Sequence, residues 1–371
     1  MFEVSFPRQG AVLNRHSGVE SADGLEITVR GFCNESGVIR VNGVVAEMHG
    51  AEFFCKCKLT ECFNKISVSL ADDFGTLTRE MQVVWDKGSF KRYDFFIDDN
   101  IFFLTDLAKE RPKSLFDHFY LSFLKKMHDT YGTLFSLNLF YNNAYEPFTL
   151  SDMPDIYKSE WKDNSHWLKM AFHAYSEFPD RPYQNTPPEK IGEDYDLVCR
   201  EIERFAGRES LIEMEALHWA MARPSAFSVL HKRGVRLLEG QFLCPRTGIA
   251  DGGEQELICD VGYFRNLNDA RFLEESRMLY DFRNGMLFWR NDCTSNLVSV
   301  EDSIARIKAV PRDTLGLATH EQYSFPRYFN YLPDHFERME AAIRTADECG
   351  FKPVFFARGI MGNTAWGDKV L

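Results

Sequence analysis

Apolar and polar residues alternate with period two along residues 1 to 88, in the runs "LEITVRGF", "GVIRVNG", "EFFCKCKL", "NKISVSLADDFG" and "TREMQVVW", each closed by Gly, Asn or Asp. This pattern predicts short strands and a small antiparallel β-sandwich. After "WDKGSFKR" the texture changes. Residues 114 to 131, "SLFDHFYLSFLKKMHDTY", carry apolar positions at helical spacing behind Ser114 as N-cap, and "DYDLVCREIERFAG" is an amphipathic helix stopped at Gly207. Between the helices lie apolar runs that read as buried strands: "GTLFSLNLFY", "EALHWAMARP", "VRLLEGQFL", "MLFWRNDCTSN", "TLGLATH" and "FKPVFFA". The segments "PSAFSVLHKRG", "VEDSIARIKAV" and "LPDHFERMEAAIRTADECG" supply further helices, and "RTGIADGGEQE" reads as an exposed loop. Strand alternating with helix predicts an α/β fold with a parallel sheet over residues 89 to 371, following the all-β segment 1 to 88.

In parallel α/β architectures the ligand lies at the carboxyl ends of the strands, and there this chain breaks its apolar runs with polar residues. "RYDFFIDDN" ends in Asp98 and Asp99, "AFHAYSEFPD" carries His173, "MARPSAF" carries Arg223, and "LGLATHEQ" carries His320. Adjacent carboxylates in an apolar strand are costly without a cation or proton between them. Asp99 and His173 are suitable oxygen and nitrogen ligands for zinc, Asp98 is placed to accept a proton from water, and His320 to donate one to a leaving group. Taken singly, each has a plainer reading: an aspartate capping a helix, a buried core histidine, a surface arginine, a strand-end pair of His320 with Glu321.

Composition narrows the partners. The 371 residues suffice for two domains. With 43 basic and 55 acidic residues the net charge is −12, which argues against nucleic acid and anionic membranes. No apolar run approaches a membrane span of about 20 residues, and the start shows no secretory pattern, so a cytoplasmic protein with a small or neutral substrate is expected. Nine cysteines are an odd, scattered set that implies reduced thiols. Cys55, Cys57 and Cys62 lack a C-x-x-C pair, and the first two share one strand face.

The four polar breaks, in this order, resemble the motifs of the polysaccharide deacetylases with NodB homology, carbohydrate esterase family 4: Asp-Asp, His-x-x-x-His, Arg-Pro and Leu-x-His. The resemblance implies a distorted (β/α) barrel, a divalent metal, Asp98 as general base, Asp99 and His173 as ligands, Arg223 as the group orienting Asp98, and His320 as general acid. The chain departs from the family at the second histidine, where it has Glu177. Glu177, or Asp180 nearby, is then the expected third ligand, and such an oxygen-rich set tolerates manganese, iron or cobalt beside zinc. The family's remaining acidic motif has no clear match; Glu239 and Asp292 compete for it. Tyr323, with Phe325, Tyr328 and Phe329, suits stacking on a sugar ring. Residues 1 to 88 are similar to the bacterial immunoglobulin-like modules that precede carbohydrate enzymes. Two other functions remain open: a carbohydrate-binding protein on a degenerate deacetylase scaffold, and a glycoside hydrolase using the same cleft.

Overall fold

The computed structural model describes residues 1–240, 246–249, 255–258 and 267–371. Ten strands between Phe2 and Trp85 form two five-stranded sheets. One runs Phe2–Phe6, Gly24–Cys33, Glu52–Leu59, Glu47–His49, with Gly18–Ser21 also on Gly24–Cys33; the other runs Val12–Leu13, Gly75–Trp85, Phe63–Asp72, Val38–Val41, Val44–Val45. The period of two is obeyed: Leu25, Ile27 and Val29 are buried while Thr28 and Arg30 alternate outward. They meet Phe53, Ile66, Val68 and Val83 in one core between the sheets. Cys55 and Cys57 pair with Val29 and Ile27 across the strands and are buried free thiols in that core. The sheets are antiparallel apart from Val12–Leu13, which lies parallel to Val84–Trp85.

A second core belongs to the α/β part. Its main sheet has the order Leu168–Ala174, Phe135–Phe140, Arg92–Asn100, Thr314–His320, Cys293–Thr294, with Lys352–Pro353 on the first residues of Arg92–Asn100. All these pairings are parallel. Phe135–Phe140 is buried at every position, as expected of a strand covered on both faces. Helices Phe102–Glu110, Phe119–Tyr131, Pro188–Phe205, Val300–Lys308 and His335–Glu348 belong to the same part. A smaller sheet pairs Leu237–Glu239 parallel with Met286–Trp289, and the latter antiparallel with Met278–Asp281. The class is therefore α/β, as read from the alternation. Among the described residues the strands form these separate sheets rather than one continuous barrel.

Three local expectations need correction. Ser114 caps the short turn Leu115–Asp117, in a reciprocal capping box with Asp117, and the helix proper begins at Phe119. "EALHWAMARP" is not a strand: residue 212 bonds to the Met170 carbonyl, but Trp219 and Ala220 then adopt left-handed backbone (φ 61° and 44°), which ends any ladder. "RTGIADGGEQE" is not wholly a loop, because Arg246–Ile249 pairs antiparallel with Gln255–Ile258; residues 250–254 lie outside the described residues.

The two parts are joined by a buried charge. Arg92, at the start of the central strand, is fully buried and donates to Asp86 (2.9 Å) and to the carbonyls of Met361 (2.6 Å) and Ile360 (3.1 Å). Asp86 accepts a further bond from Asn363 (2.7 Å). With every donor directed at an acceptor, the desolvation of this pair is offset. The carboxy-terminal segment thus closes over the junction, and Trp366 donates to the Trp85 carbonyl (2.8 Å).

Candidate metal centre

The site begins with a defect in the central strand, Arg92–Asn100. In a regular strand Asp98 and Asp99 would point to opposite faces. Here the register with Phe135–Phe140 slips between Ile97 and Asn100, and Asp99 takes a left-handed conformation (φ 62°), which aspartate tolerates better than most residues but which breaks the strand. Asn100 holds the kink by donating to the carbonyls of Ile97 (2.6 Å) and Asn138 (3.2 Å). Both carboxylates therefore approach one imidazole: Asp98 Oδ1 lies 3.6 Å from His173 Nδ1, and Asp99 Oδ1 lies 3.2 Å from His173 Nε2.

A third group arrives from a segment that sequence reasoning passed over. His218 sits just before the left-handed turn at Trp219, and its Nδ1 lies 3.3 Å from Asp99 Oδ1 and 3.2 Å from His173 Nε2. The outer nitrogens of both rings are committed. His173 Nδ1 donates to the Ala216 carbonyl (3.0 Å) and His218 Nε2 to the Glu177 carbonyl (3.1 Å), since a carbonyl can only accept. In their neutral forms, the two inner nitrogens consequently present lone pairs to each other and to a carboxylate oxygen. Asp99 Oδ1 is buried, yet despite its two close nitrogens it receives no well-directed hydrogen bond. Three facing lone pairs in a buried site repel unless a cation or extra protons lie between them.

The dimensions suit a cation. Ligands about 2.0 to 2.2 Å from a tetrahedral zinc stand about 3.3 Å from one another. The three atoms of Asp99, His173 and His218 are separated by 3.2, 3.2 and 3.3 Å. Among the described residues these three form a group able to hold a metal ion. Without an ion a proton takes that place: burial pushes the Asp99 carboxyl up, but His173 and His218, acting as donors, outweigh it and hold it well below the usual carboxylate range. Burial works against a charged His173, and Asp98 and Asp99 more than offset that and raise it.

Glu177, expected as the third ligand, is employed otherwise. Its carboxylate accepts from the Tyr145 hydroxyl (2.8 Å) and from Gln322 Nε2 (2.7 Å), while its backbone carbonyl fixes His218. Burial, with Asp99 nearby, pushes its carboxyl up. Asp180 is exposed and lines the cleft. Arg223 does not orient Asp98: it is exposed and donates to the Gln184 carbonyl (3.1 Å) and Asn185 Oδ1 (3.0 Å), because the Arg-Pro pair opens a short turn, Pro224–Ala226, away from the cleft. Asp98 is instead held by the buried Asn138, whose Nδ2 donates to Oδ1 (2.7 Å). Asp292 is likewise occupied elsewhere, ion-paired with Arg312 and accepting from the Gly316 amide (3.0 Å).

His320 and Tyr323 do line the cleft, as does Glu239. His320 stands directly across the ladder from Asp98. The residue after it, Glu321, is a structural clamp: its buried carboxylate accepts from the amides of Ile101 (2.8 Å), Phe102 (2.9 Å) and Phe103 (2.6 Å), capping the helix that follows Asp99. Glu239 is buried, with Oε1 lacking a partner, and burial together with Asp98 pushes its carboxyl up to about 8. The cleft encloses about 330 Å³, and Trp219, Tyr323 and Tyr328 supply aromatic surface to it.

No family model matches the chain, and comparison with curated proteins found no match. Among solved structures the chain is similar to a CE4 esterase of Streptococcus mutans at 10% identity and a TM-score of 0.35, over 71% of this chain and 84% of that one. It is also similar to a putative alpha-galactosidase of Bacteroides fragilis NCTC 9343 at 10% identity and a TM-score of 0.25, over 93% of this chain and 78% of that one. Likenesses of this degree carry no argument about chemistry, which rests on the geometry alone. Among the described residues no helix is long and apolar enough to cross a membrane.

Proposed function

We propose that this protein is a metal-dependent hydrolase that removes an acetyl group, N- or O-linked, from a carbohydrate, and that residues 1–88 are an immunoglobulin-like module attached to its catalytic part. The supporting observation is the triangle of Asp99 Oδ1, His173 Nε2 and His218 Nδ1, with Asp98 on one side and His320 across the ladder. A divalent ion held there, zinc in preference because two of its three ligands are imidazoles, supplies Lewis acidity towards a carbonyl oxygen and acidifies water. Asp98, oriented by Asn138, takes the proton from the attacking water. A carbon–oxygen bond forms at the acetyl carbon. As the carbon–nitrogen or carbon–oxygen bond to the sugar breaks, His320 gives its proton to the departing amine or alkoxide. The products are acetate and the free amine or hydroxyl. Trp219 and Tyr323 offer faces for the sugar ring.

A degenerate binding scaffold would lack the second imidazole ligand, since Glu177 stands where the resemblance expects that histidine. His218 offers a nitrogen from another segment, which weighs against that reading. The test is metal analysis together with acetate release from acetylated oligosaccharides. We expect near one equivalent of transition metal per chain, lost in His218→Ala and retained in Glu177→Gln. Metal retained in His218→Ala, or lost equally in Glu177→Gln, would count against the assignment.

A further inference from the structure

His320 is held from behind by a chain of polar groups that converge on one amide oxygen. Asn296 is 5% exposed and follows the short strand Cys293–Thr294. Its side-chain oxygen and nitrogen are interchangeable in shape, but the backbone amide of His320 points at one of them from 3.2 Å, and that amide can only donate. The atom it meets is therefore the oxygen. His320 Nδ1 lies 3.0 Å from the same oxygen and must carry a hydrogen to face it. The Thr319 hydroxyl donates to it as well, at 3.2 Å.

The rest of the chain agrees with this assignment. Having given its hydrogen to Asn296, Thr319 Oγ1 must accept from His335 Nε2, 2.6 Å away. His335 Nδ1 then accepts from the Ser324 hydroxyl at 2.7 Å. One donor and one acceptor is what a neutral imidazole offers, and burial keeps His335 neutral by pushing it down to about 3. The donors run in one direction from Ser324 through His335 and Thr319 and converge on Asn296 Oδ1. The opposite tautomer of His320 would set the Nδ1 lone pair against that oxygen.

We propose that Asn296 is a positioning residue that fixes the tautomer and orientation of His320, so that Nε2, the nitrogen left to the cleft, is the only one that exchanges a proton there. The hydrolase reading above is needed only to say what that proton is for. A neutral amide holds the ring without adding a charge behind it, so the polarity of the His320 proton is set from the cleft side. Asn296 touches neither the substrate nor the three ligating atoms in this assignment; it acts through His320.

The experiment is nuclear magnetic resonance of protein labelled with ¹⁵N in its histidines, with the His320 ring signals assigned by their loss in His320→Gln. Wild-type protein, on the neutral side of the His320 titration, is expected to show the Nδ1–H tautomer. Asn296→Leu is expected to shift the ring mainly to Nε2–H and to lower kcat for acetate release about 10-fold to 100-fold with KM within about twofold. Asn296→Asp keeps an acceptor in place and is expected to keep the Nδ1–H form. A wild-type ring in the Nε2–H form, or an Asn296→Leu ring that stays Nδ1–H, would overturn the proposal. The wild-type spectrum decides even if the leucine variant does not fold. If no acetylated sugar is turned over, the hydrolase reading falls while the tautomer still settles the role of Asn296.

Discussion

The two-sheet sandwich and the α/β part are made of the same residue types and obey opposite rules. Along Gly24–Cys33 each inward position is apolar and each local preference agrees with the global fold. At the carboxyl end of the central strand the chain does the reverse: it buries Asp99, His173 and His218 together, slips register, and places Asp99, Trp219 and Ala220 in left-handed backbone. Each of these is a cost, of order 1 to 3 kcal/mol for a strained backbone residue. Such costs persist where something else compensates them, which is why violations of local rules mark function better than compliance does. The contrast teaches that stability of the whole and chemistry at the cleft should respond to different substitutions.

The sharpest separation is expected at Asp98. Asp98→Asn keeps shape and the bond from Asn138 but removes the proton acceptor, so acetate release should fall by about 10³-fold. Metal content and the unfolding midpoint should stay close to wild type. Retained turnover, measured by acetate assay, removes Asp98 from the mechanism.

The junction should show the converse. Arg92→Met leaves Asp86 buried without its cation, an arrangement that costs about 3 to 5 kcal/mol. Denaturant unfolding followed by circular dichroism reads this directly. The folded fraction is expected to retain its turnover per bound metal, because Arg92 lies at the opposite end of the central strand from Asp98 and Asp99. Within the sandwich core, Ile27→Ala is expected to cost about 2 to 5 kcal/mol by transfer and cavity terms, again with turnover per folded molecule unchanged. A loss of turnover in either variant, at full folding, would mean that the two parts are coupled in function as well as in stability.

The contrast also explains what could be read from the sequence. Strands of the sandwich are legible because burial on one face imposes strict alternation, and Asp98, Asp99, His173 and His320 are legible because each interrupts an apolar run at the end of a strand. His218 was not: its segment looks like another strand, and only the turn at Trp219 aims the ring at Asp99. Asn138 and Asn296 were missed because their roles come from neighbours across the sheet, which spacing along the chain does not encode. Arg223 was misjudged for the same reason, as an Arg-Pro pair specifies a turn but not the face on which it lies. Glu177 illustrates both sides: it lies in the cleft with His173, as expected, whereas Tyr145 and Gln322, which occupy its carboxylate, come from a loop and a short turn far away in sequence.

The remaining test reads the same contrast through pH. Glu239 has its carboxyl pushed from an ordinary 4.5 up to about 8 by burial and by Asp98. Between these values the unfolded chain has released this proton and the folded chain still holds it, so the folded state binds more protons and stability must fall as pH rises. The contribution is fully present below pH 4.5 and declines up to about pH 8, with a slope of at most about 1.4 kcal/mol per pH unit. In protein stripped of metal with a chelator, Glu239→Gln should remove this slope, so that the difference between unfolding free energies at pH 5 and pH 8 is smaller than in wild type. A sandwich variant such as Ile27→Ala should leave the slope as it is, because its cost is the same at every pH. An unchanged slope in Glu239→Gln would mean that the carboxyl is ionised in the folded protein, held by a donor from the cleft side, as a second buried charge beside Asp99.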